Sequence, residues 1–294
     1  MLHPEKTSVV VEGRRKGLGT RFGLLCLVAG SLLVLRPMKC YGVSWGCYMF
    51  IVVGYALQSL LLESIYYKHG WQIHNIDWKI QPQRREKVPH RMVFGLPFIG
   101  PVKPSRHPLH VIFSTINLHV AGLFAFAVCE LFMRGHTQMY GNQQAWPALS
   151  IIVTELAGAV ARQSVLEYYW HLIMHLPRVY RVAHKYHHFY KSPEPFDDLF
   201  IHPLEGFGYQ CILFSPVAVM PMHVTSFSLY MALLGVCGVL DHSGIDFRVR
   251  LPILGTTLYS SRDHDYHHEV FSKNFAFPFP FLDHIHGTYA EREV

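Results

Sequence analysis

Ten histidines stand at spacings that suit metal ligation. In the segment 171–175, two histidines stand four residues apart, which puts both imidazoles on one face of a helix, about 6 Å apart. The segments 184–188 and 264–268 share one pattern, His-x-x-His-His. With two isolated histidines, the candidate metal ligands are His171, His175, His184, His187, His188, His202, His242, His264, His267 and His268.

A single metal ion cannot use ten imidazoles, whereas two ions with four or five ligands each can. All-nitrogen ligation suits iron, copper, nickel or zinc better than magnesium or calcium. Neutral imidazoles leave the metal charge uncompensated, so carboxylates are expected behind the ligands. Four carboxylates within four residues of a candidate ligand could take this role, although each could equally be a capping or surface residue: Glu167, Asp241, Asp263 and Asp265.

The composition is that of a membrane protein. Half of the 294 residues are hydrophobic and 16% are charged, below the roughly 25% usual for soluble domains. The net charge is +6, but the basic residues are scattered among apolar neighbours. This distribution indicates membrane-flanking charge rather than a nucleic-acid interface. The six cysteines form no Cys-x-x-Cys pair and are interpreted as buried small hydrophobes.

Apolar stretches predict the membrane segments. The stretch 208–240 contains Pro216 and Pro221, which predict a hairpin of two shorter legs. The stretch 22–35 is too short to span alone and is interpreted as the first leg of another hairpin. The predicted membrane segments are residues 22–35, 43–62, 108–133, 146–169 and 208–240.

Loop charge predicts the orientation of these segments. The loop 67–107 carries eight lysines and arginines, whereas the loop 134–145 carries Arg134 alone. The positive-inside rule therefore puts the first loop in the cytosol and the second across the membrane. The next span returns the chain to the cytosol near His171, and the predicted hairpin keeps residues 241–294 there. Every histidine-rich segment is thus predicted on the cytosolic side.

The histidine segments resemble those of the fatty acid hydroxylase and sterol desaturase superfamily. The resemblance runs from about Glu167 to Tyr289, and the phrase 181–188 (RVAHKYHH) has the family's HKxHH form. The phrases 202–205 (HPLE) and 241–247 (DHSGIDF) are similar to the sterol 4-methyl oxidase and sterol 25-hydroxylase branches. Relatives usually close with an aromatic before the final Asp and another before Gly-Thr, where this chain has Leu282 and His286.

The resemblance implies a membrane di-iron oxidase that uses O2 on an unactivated C–H bond of a lipid. It also strengthens His202 and His242, which spacing alone leaves at even odds, as expected ligands. Zinc could replace iron in the purified protein. Two external electrons per turnover would come from NAD(P)H through a reductase, directly or by way of cytochrome b5, because the chain shows no flavin or nicotinamide fingerprint. A basic patch could dock such an acidic partner or face lipid headgroups: Arg178, Arg181, Lys185 and Lys191.

The predicted fold is all-α: four to six membrane-embedded helices with a cytosolic helical cap that holds the metals. Residues 1–21 are predicted to be a basic tail, residues 22–145 the first membrane helices with the basic loop, and residues 146–294 the catalytic domain. Within the loop, residues 72–108 are expected to lie along the membrane surface. No pattern in the sequence predicts β-strands in place of these helices.

The predicted function is a sterol, or sterol-like terpenoid, hydroxylase or methyl oxidase of the endoplasmic reticulum, the organelle being inferred from the lipid chemistry. Fatty acid or sphingolipid hydroxylation and sterol desaturation use the same metal chemistry and remain open. Aromatics near the ligands could line the lipid groove or form an interfacial belt: Tyr168, Tyr169, Trp170, Tyr186, Phe189, Tyr190 and Phe196. A zinc-dependent membrane hydrolase and a catalytically silent lipid-binding relative are the alternatives from other classes.

Overall fold

The computed structural model describes residues 42–68, 73–74, 79–81, 94–95, 98–99, 107–141, 146–251 and 256–292. The predicted basic tail, the apolar stretch 22–35 and most of the basic loop lie outside the described residues. The helices are α1 Gly42–Tyr66, α2 His110–Met133, α3 Leu149–Met174, α4 Pro177–Val182, the 3-10 helix η1 His184–Phe189, α5 Pro203–Phe214, α6 Pro216–Val219, α7 Val224–Asp241, α8 Ser261–Val270 and α9 Phe281–His286.

Among the described residues, four helices are long and apolar enough to cross a membrane: α1 over Gly42–Leu62, α2, α3 and α7. Their apolar side chains run all round each helix rather than along one stripe, as expected where lipid covers the outer face. Three of them coincide with predicted spans. The structure extends α3 to Met174, so that the first histidine of the ligand pattern lies on a membrane helix. The predicted multi-pass helical fold is confirmed.

The predicted hairpin between residues 208 and 240 has legs of unequal length. Helix α5 ends at Phe214, and Pro216 opens the four-residue helix α6, where a missing backbone N–H costs nothing. Helix α7 begins after His223, whose Nδ1 accepts a hydrogen bond from the Thr225 backbone N–H at 3.1 Å. Of the two long legs, α7 is long enough to span and the 12-residue α5 is not.

Short strands accompany the helices, which corrects the expectation that no strand would form. The longest is an antiparallel hairpin of β7 Arg248–Leu251 and β8 Thr256–Ser260. Its β-branched and alternating residues favour extended backbone. The others are two-residue pairs: β1 Tyr67–Lys68 with β2 Ile73–His74, β3 Phe94–Gly95 with β4 Phe98–Ile99, and β5 Met139–Tyr140 with β6 Met222–His223.

A polar contact inside the bundle holds the loop that follows η1. The Asn117 side chain on α2 donates hydrogen bonds to the backbone carbonyls of Leu199 and Ile201, at 3.0 and 2.9 Å. Gly206 on α5 packs directly against Asn117, where a Cβ atom would collide with the amide. The loop 190–201 is therefore held against α2, and this loop supplies two hydrogen-bond acceptors to the histidine cluster.

Candidate metal centre

Nine of the ten predicted ligands come together in two groups. Within each group, the potential ligand atoms all lie within 4.8 Å of one another. The five-histidine group consists of His171, His175, His184, His188 and His267. The four-histidine group consists of His187, His242, His264 and His268. The groups adjoin, since the rings of His188 and His268 have centroids 4.8 Å apart.

The nitrogen spacing in the five-histidine group fits a coordination shell. The Nε2 atom of His188 lies 3.1 Å from that of His175, 3.1 Å from that of His184 and 3.2 Å from that of His267. Around a metal with bonds of about 2.1 Å, neighbouring nitrogens lie about 3.0–3.4 Å apart. The four-histidine group is similar, with spacings of 2.8, 3.2 and 3.3 Å that involve His264 or His242.

Hydrogen bonds at the opposite ring nitrogen orient many of these imidazoles. The Nδ1–H of His171 donates to the Phe275 carbonyl at 2.9 Å, and that of His267 to the Lys273 carbonyl at 2.6 Å. The Nδ1–H of His268 likewise donates to the Tyr190 carbonyl at 3.1 Å. In a neutral imidazole the other nitrogen is then an unprotonated acceptor. Several such lone pairs converge here. They repel one another when no cation lies between them, and a bound cation would stabilise the arrangement.

Two carboxylates complete this orienting shell. Glu205, at the N-terminal turn of α5, accepts from His184 Nδ1 at 2.6 Å, and both side chains are fully buried. Asp198 lies 3.1 Å from His242 Nδ1, which also meets the Gly238 carbonyl at 2.8 Å. The sequence did not single out either carboxylate, although Glu205 stands in the HPLE phrase that identified His202.

The four carboxylates predicted for this role have other contacts among the described residues. Asp241 accepts from the Tyr259 hydroxyl at 2.5 Å, and Asp265 from the Gln81 amide at 2.7 Å. Glu167 pairs with Gln163 and lines a cavity. Burial raises the pKa of Asp263 to about 7, with Glu291 adding to the effect. None of these carboxylates bonds to a clustered imidazole, so sequence proximity was a poor guide to contact.

Burial keeps most of the clustered imidazoles outside the membrane helices neutral. It lowers the pKa of His175 to about 3, assisted by the nearby His184. Burial and neighbouring imidazoles lower the pKa well below its usual value for His187, His188, His264, His267 and His268. For His242, burial opposes protonation, but the bond to Asp198 outweighs it and raises the pKa. Neutral imidazoles need no deprotonation before they bind a metal.

The two His-x-x-His-His segments each serve both groups. In η1, His184 and His188 belong to the five-histidine group while His187 points to the other, with its Nε2 3.3 Å from that of His242. In α8, His267 joins the five-histidine group and its neighbour His268 joins the four-histidine group. Histidines expected to share a face in the segment 184–188 are thus divided between the groups.

His202 lies outside both groups. Its Nδ1 accepts from the Leu204 backbone N–H at 3.3 Å, which makes it the N-cap of α5. Its ring packs against Phe113 and Tyr186 rather than against another imidazole. Burial lowers its pKa. The structure therefore gives His202 a capping position next to the Glu205 turn, and we leave it out of the proposed ligand set.

An apolar cavity of about 330 Å³ runs from the membrane helices to the histidines. Residues of both groups line it, among them His171, His187, His242 and His264. The aromatic walls are Phe50, Tyr55, Tyr209, Phe214 and Phe277. None of the seven aromatics expected from the sequence lines this cavity. Those residues stand near the ligands along the chain, whereas α1, α5 and α7 approach from elsewhere.

The final segment of the chain closes the centre from the other side. Asp283 accepts from the backbone N–H groups of Phe275 and Ala276 at 2.9 and 2.8 Å, and from the Thr288 hydroxyl at 2.7 Å. These bonds fix the position of the Phe275 carbonyl, which accepts the hydrogen bond from His171. His286, at the position where the resemblance led us to expect an aromatic residue, stacks on Tyr168 with ring centroids 5.0 Å apart. The substitution therefore keeps a planar ring at that position.

Fold and site together define a helical multi-pass membrane protein with two adjoining histidine groups suited to metal ions. Residues 156–288, somewhat under half of the chain, match the family model described as "Fatty acid hydroxylase". The predicted resemblance is confirmed.

Named relatives agree with this assignment. The chain is 31% identical over 146 residues to fatty acid hydroxylase domain-containing protein 2 from Homo sapiens, covering 48% of this chain and 40% of that protein. It is 27% identical over 159 residues to methylsterol monooxygenase 1 from Gallus gallus, covering 52% of each. It is 29% identical over 179 residues to lathosterol oxidase from Homo sapiens, covering 60% and 59%.

These matches reach about half of each relative's length. No solved structure matches the chain significantly. The relatives named as a monooxygenase and an oxidase are oxidoreductases, which agrees with the enzyme class that the sequence predicted.

Proposed function

We propose that the protein is a membrane-bound, O2-dependent lipid oxidase that uses two iron ions and acts on a sterol or sterol-like lipid as a hydroxylase or methyl oxidase. The observation that carries the proposal is the meeting of nine imidazoles with an apolar cavity between membrane helices. Names of the relatives, a methylsterol monooxygenase and a lathosterol oxidase, support the choice of a sterol.

Each histidine group would hold one ion. The convergent Nε2 atoms, 3.1–3.2 Å apart around His188, fit the donor set of a borderline metal such as iron. When bound, two ferrous ions supply the activation of dioxygen that oxidation of an unactivated C–H bond needs. The chain fixes the imidazole tautomers through backbone carbonyls and through Glu205 and Asp198.

The cavity would bind the lipid and exclude water. Its walls are mostly apolar, and its lining includes residues of α1, α5 and α7. A hydrophobic substrate can reach such a cavity from the bilayer. With the lipid seated, bulk water is kept from the metals, which limits unproductive consumption of O2 and reductant. The reacting carbon would lie beside the imidazoles of both groups that face the cavity.

The remaining assignments belong to the same proposal. Electrons would come from NAD(P)H through a reductase, with cytochrome b5 as a possible carrier, docked on the basic residues Arg178, Arg181, Lys185 and Lys191. The metal centre would face the cytosol from the endoplasmic reticulum membrane. Residues 146–294 would form the catalytic unit, after the basic tail 1–21 and the helices and loop of residues 22–145.

The metal content of the detergent-purified protein tests the proposal. We expect about two irons per wild-type chain and their loss in the double variant His187→Ala, His268→Ala. The matched control is His202→Ala, which removes an imidazole outside both groups and should keep both ions. Size-exclusion profiles and helical circular dichroism establish that each variant is folded.

Oxygen consumption in the presence of a reductase and sterol then separates the alternatives. Uptake that depends on sterol and on both metals supports the oxidase. Two zinc ions whose exchange for iron restores no oxygen consumption would favour a hydrolase instead. Folded wild-type protein without stoichiometric metal under any loading condition would refute the di-metal centre and leave a lipid-binding role.

A further inference from the structure

The cavity wall carries a polar patch beside the metal centre. Glu167 is 7% exposed and lines the cavity one helical turn before His171. Its Oε2 accepts from the Gln163 side chain. Its Oε1 has no hydrogen-bond partner among the described residues. A carboxylate oxygen left open toward an otherwise apolar cavity is costly unless a ligand satisfies it.

Two neighbours on α5 face the same space. Tyr209 and Gln210 both line the cavity, and within the described part of the chain neither side chain makes a hydrogen bond. The Tyr209 hydroxyl can donate or accept a hydrogen bond, and the Glu167 carboxyl group offers an acceptor oxygen. A donor and an acceptor on facing helices form a site for one small polar group.

The charges around the cavity limit which polar group of a ligand can bind between Glu167 and Tyr209. No lysine or arginine of the described residues lines the cavity, whereas Glu167 and Asp198 do. An anionic group such as a free carboxylate or phosphate would be drawn onto the two metal ions and coordinate them, instead of lying between Glu167 and Tyr209. A cationic ammonium would stand beside two divalent metal ions in a medium of low dielectric constant. A neutral hydroxyl, which donates to Glu167 and accepts from Tyr209, satisfies both partners without these penalties.

We propose that Glu167 and Tyr209, assisted by Gln210, form a hydroxyl-binding subsite that selects a lipid alcohol. The subsite rests on the proposed lipid oxidase function. Residues 167 and 171 are four positions apart on α3, or about 6 Å along the helix axis. The carbon presented to the metals would thus lie within a few bonds of the carbon that bears the hydroxyl. Lipids that lack a hydroxyl at such a short separation should be poor substrates.

Equilibrium binding tests the subsite separately from turnover. Metal-loaded protein in nanodiscs is titrated with radiolabelled lathosterol, a 4-methylsterol and octadecanol, each beside its methyl ether, and with octadecylamine. We expect at least one alcohol to bind about tenfold to a hundredfold more tightly than its ether, because the ether leaves a buried polar group of the subsite without a hydrogen-bond partner. Glu167→Gln and Tyr209→Phe should reduce this preference, and the double variant should abolish it.

Met231→Leu is the matched control, because it changes the apolar wall of the same cavity without a polar group. It should leave the alcohol-to-ether ratio unchanged. Equal binding of every alcohol and its ether by wild-type protein, tighter binding of the amine than of octadecanol, or an unchanged ratio in the double variant would overturn the subsite. Metal content and oxygen uptake on the same samples report separately on the proposed function.

Discussion

The bond between Glu205 and His184 offers the sharpest test of the metal centre. The Glu205 carboxylate lies 2.6 Å from His184 Nδ1, and neither side chain is exposed to solvent. Glu205 stands in the first turn of α5, where the helix dipole favours a negative charge. Replacement by glutamine keeps the size of the side chain and removes that charge. We expect Glu205→Gln to weaken metal binding by the five-histidine group.

The size of the effect follows from the burial of the pair. Partners behind a metal-bound histidine typically contribute tenfold to a hundredfold in metal affinity, or about 1.4–2.7 kcal/mol. Because the Glu205–His184 pair is completely buried, we expect Glu205→Gln to lie toward the upper end of this range of lost metal affinity. The corresponding pair of Asp198 and His242 is longer, at 3.1 Å, and the Asp198 side chain is 20% exposed. Asp198→Asn should therefore cost less, because solvent screens the interaction and the Gly238 carbonyl remains as an acceptor.

Chelator competition measures both variants under the same conditions. Metal-loaded protein is equilibrated with increasing chelator, and the metal left per chain is determined by mass spectrometry. For Glu205→Gln, one of the two ions should leave at a chelator concentration lower by tenfold or more, while the second stays near its wild-type value. The reasoning is wrong if Glu205→Gln releases metal as wild-type protein does, or if Asp198→Asn is the more damaging change.

Three further perturbations have defined outcomes. Gly206→Ala should lower the free energy of unfolding by about 1–3 kcal/mol, because the new Cβ meets the Asn117 amide. The control Gly46→Ala, whose Cβ meets nothing within 4 Å, should be neutral or slightly stabilising. Thermal unfolding in detergent compares the two variants. Asp283→Ala, which leaves the buried Phe275 N–H and the partly buried Ala276 N–H without their acceptor, should destabilise by about 2 kcal/mol or more and lower metal retention in the same scans. Gly235→Phe should fill the cavity and reduce lipid-dependent oxygen uptake about tenfold or more at unchanged metal content; normal uptake would show that this cavity is not the substrate site.

The membrane helices and the metal pattern could be predicted from local features of the sequence. Long apolar stretches identify spans because lipid demands both apolar side chains and internally bonded backbone. The histidine segments gave eight of the nine residues that meet in space, and the ninth, His242, was an isolated candidate. His202 was the other isolated candidate, raised by its HPLE phrase, but the structure places it as an N-cap. A histidine before Pro at a helix start serves the backbone, and spacing alone does not distinguish that role from ligation.

The carboxylates and the cavity depended on tertiary contacts. Glu205 is 21 residues from His184 along the chain, and Asp198 is separated from His242 by a whole hairpin. Both come into contact because Asn117 fastens the loop 190–201 to α2 and packs against α5 at Gly206. A search limited to sequence neighbours of the ligands therefore chose carboxylates that make no hydrogen bond to a clustered imidazole.

The adjacent histidine pairs explain why the centre has two parts rather than one. Successive side chains on an α or 3-10 helix point roughly 100–120° apart, so neighbouring histidines cannot both reach one metal in the same shell. His187 and His188 diverge in this way on η1, and His267 and His268 diverge on α8. Each pair therefore supplies one ligand to each group, and the short link between paired residues requires the two ions to lie close together. In the proposed centre, the i, i+4 histidines of each His-x-x-His-His segment would serve one ion and the histidine between them would serve the other.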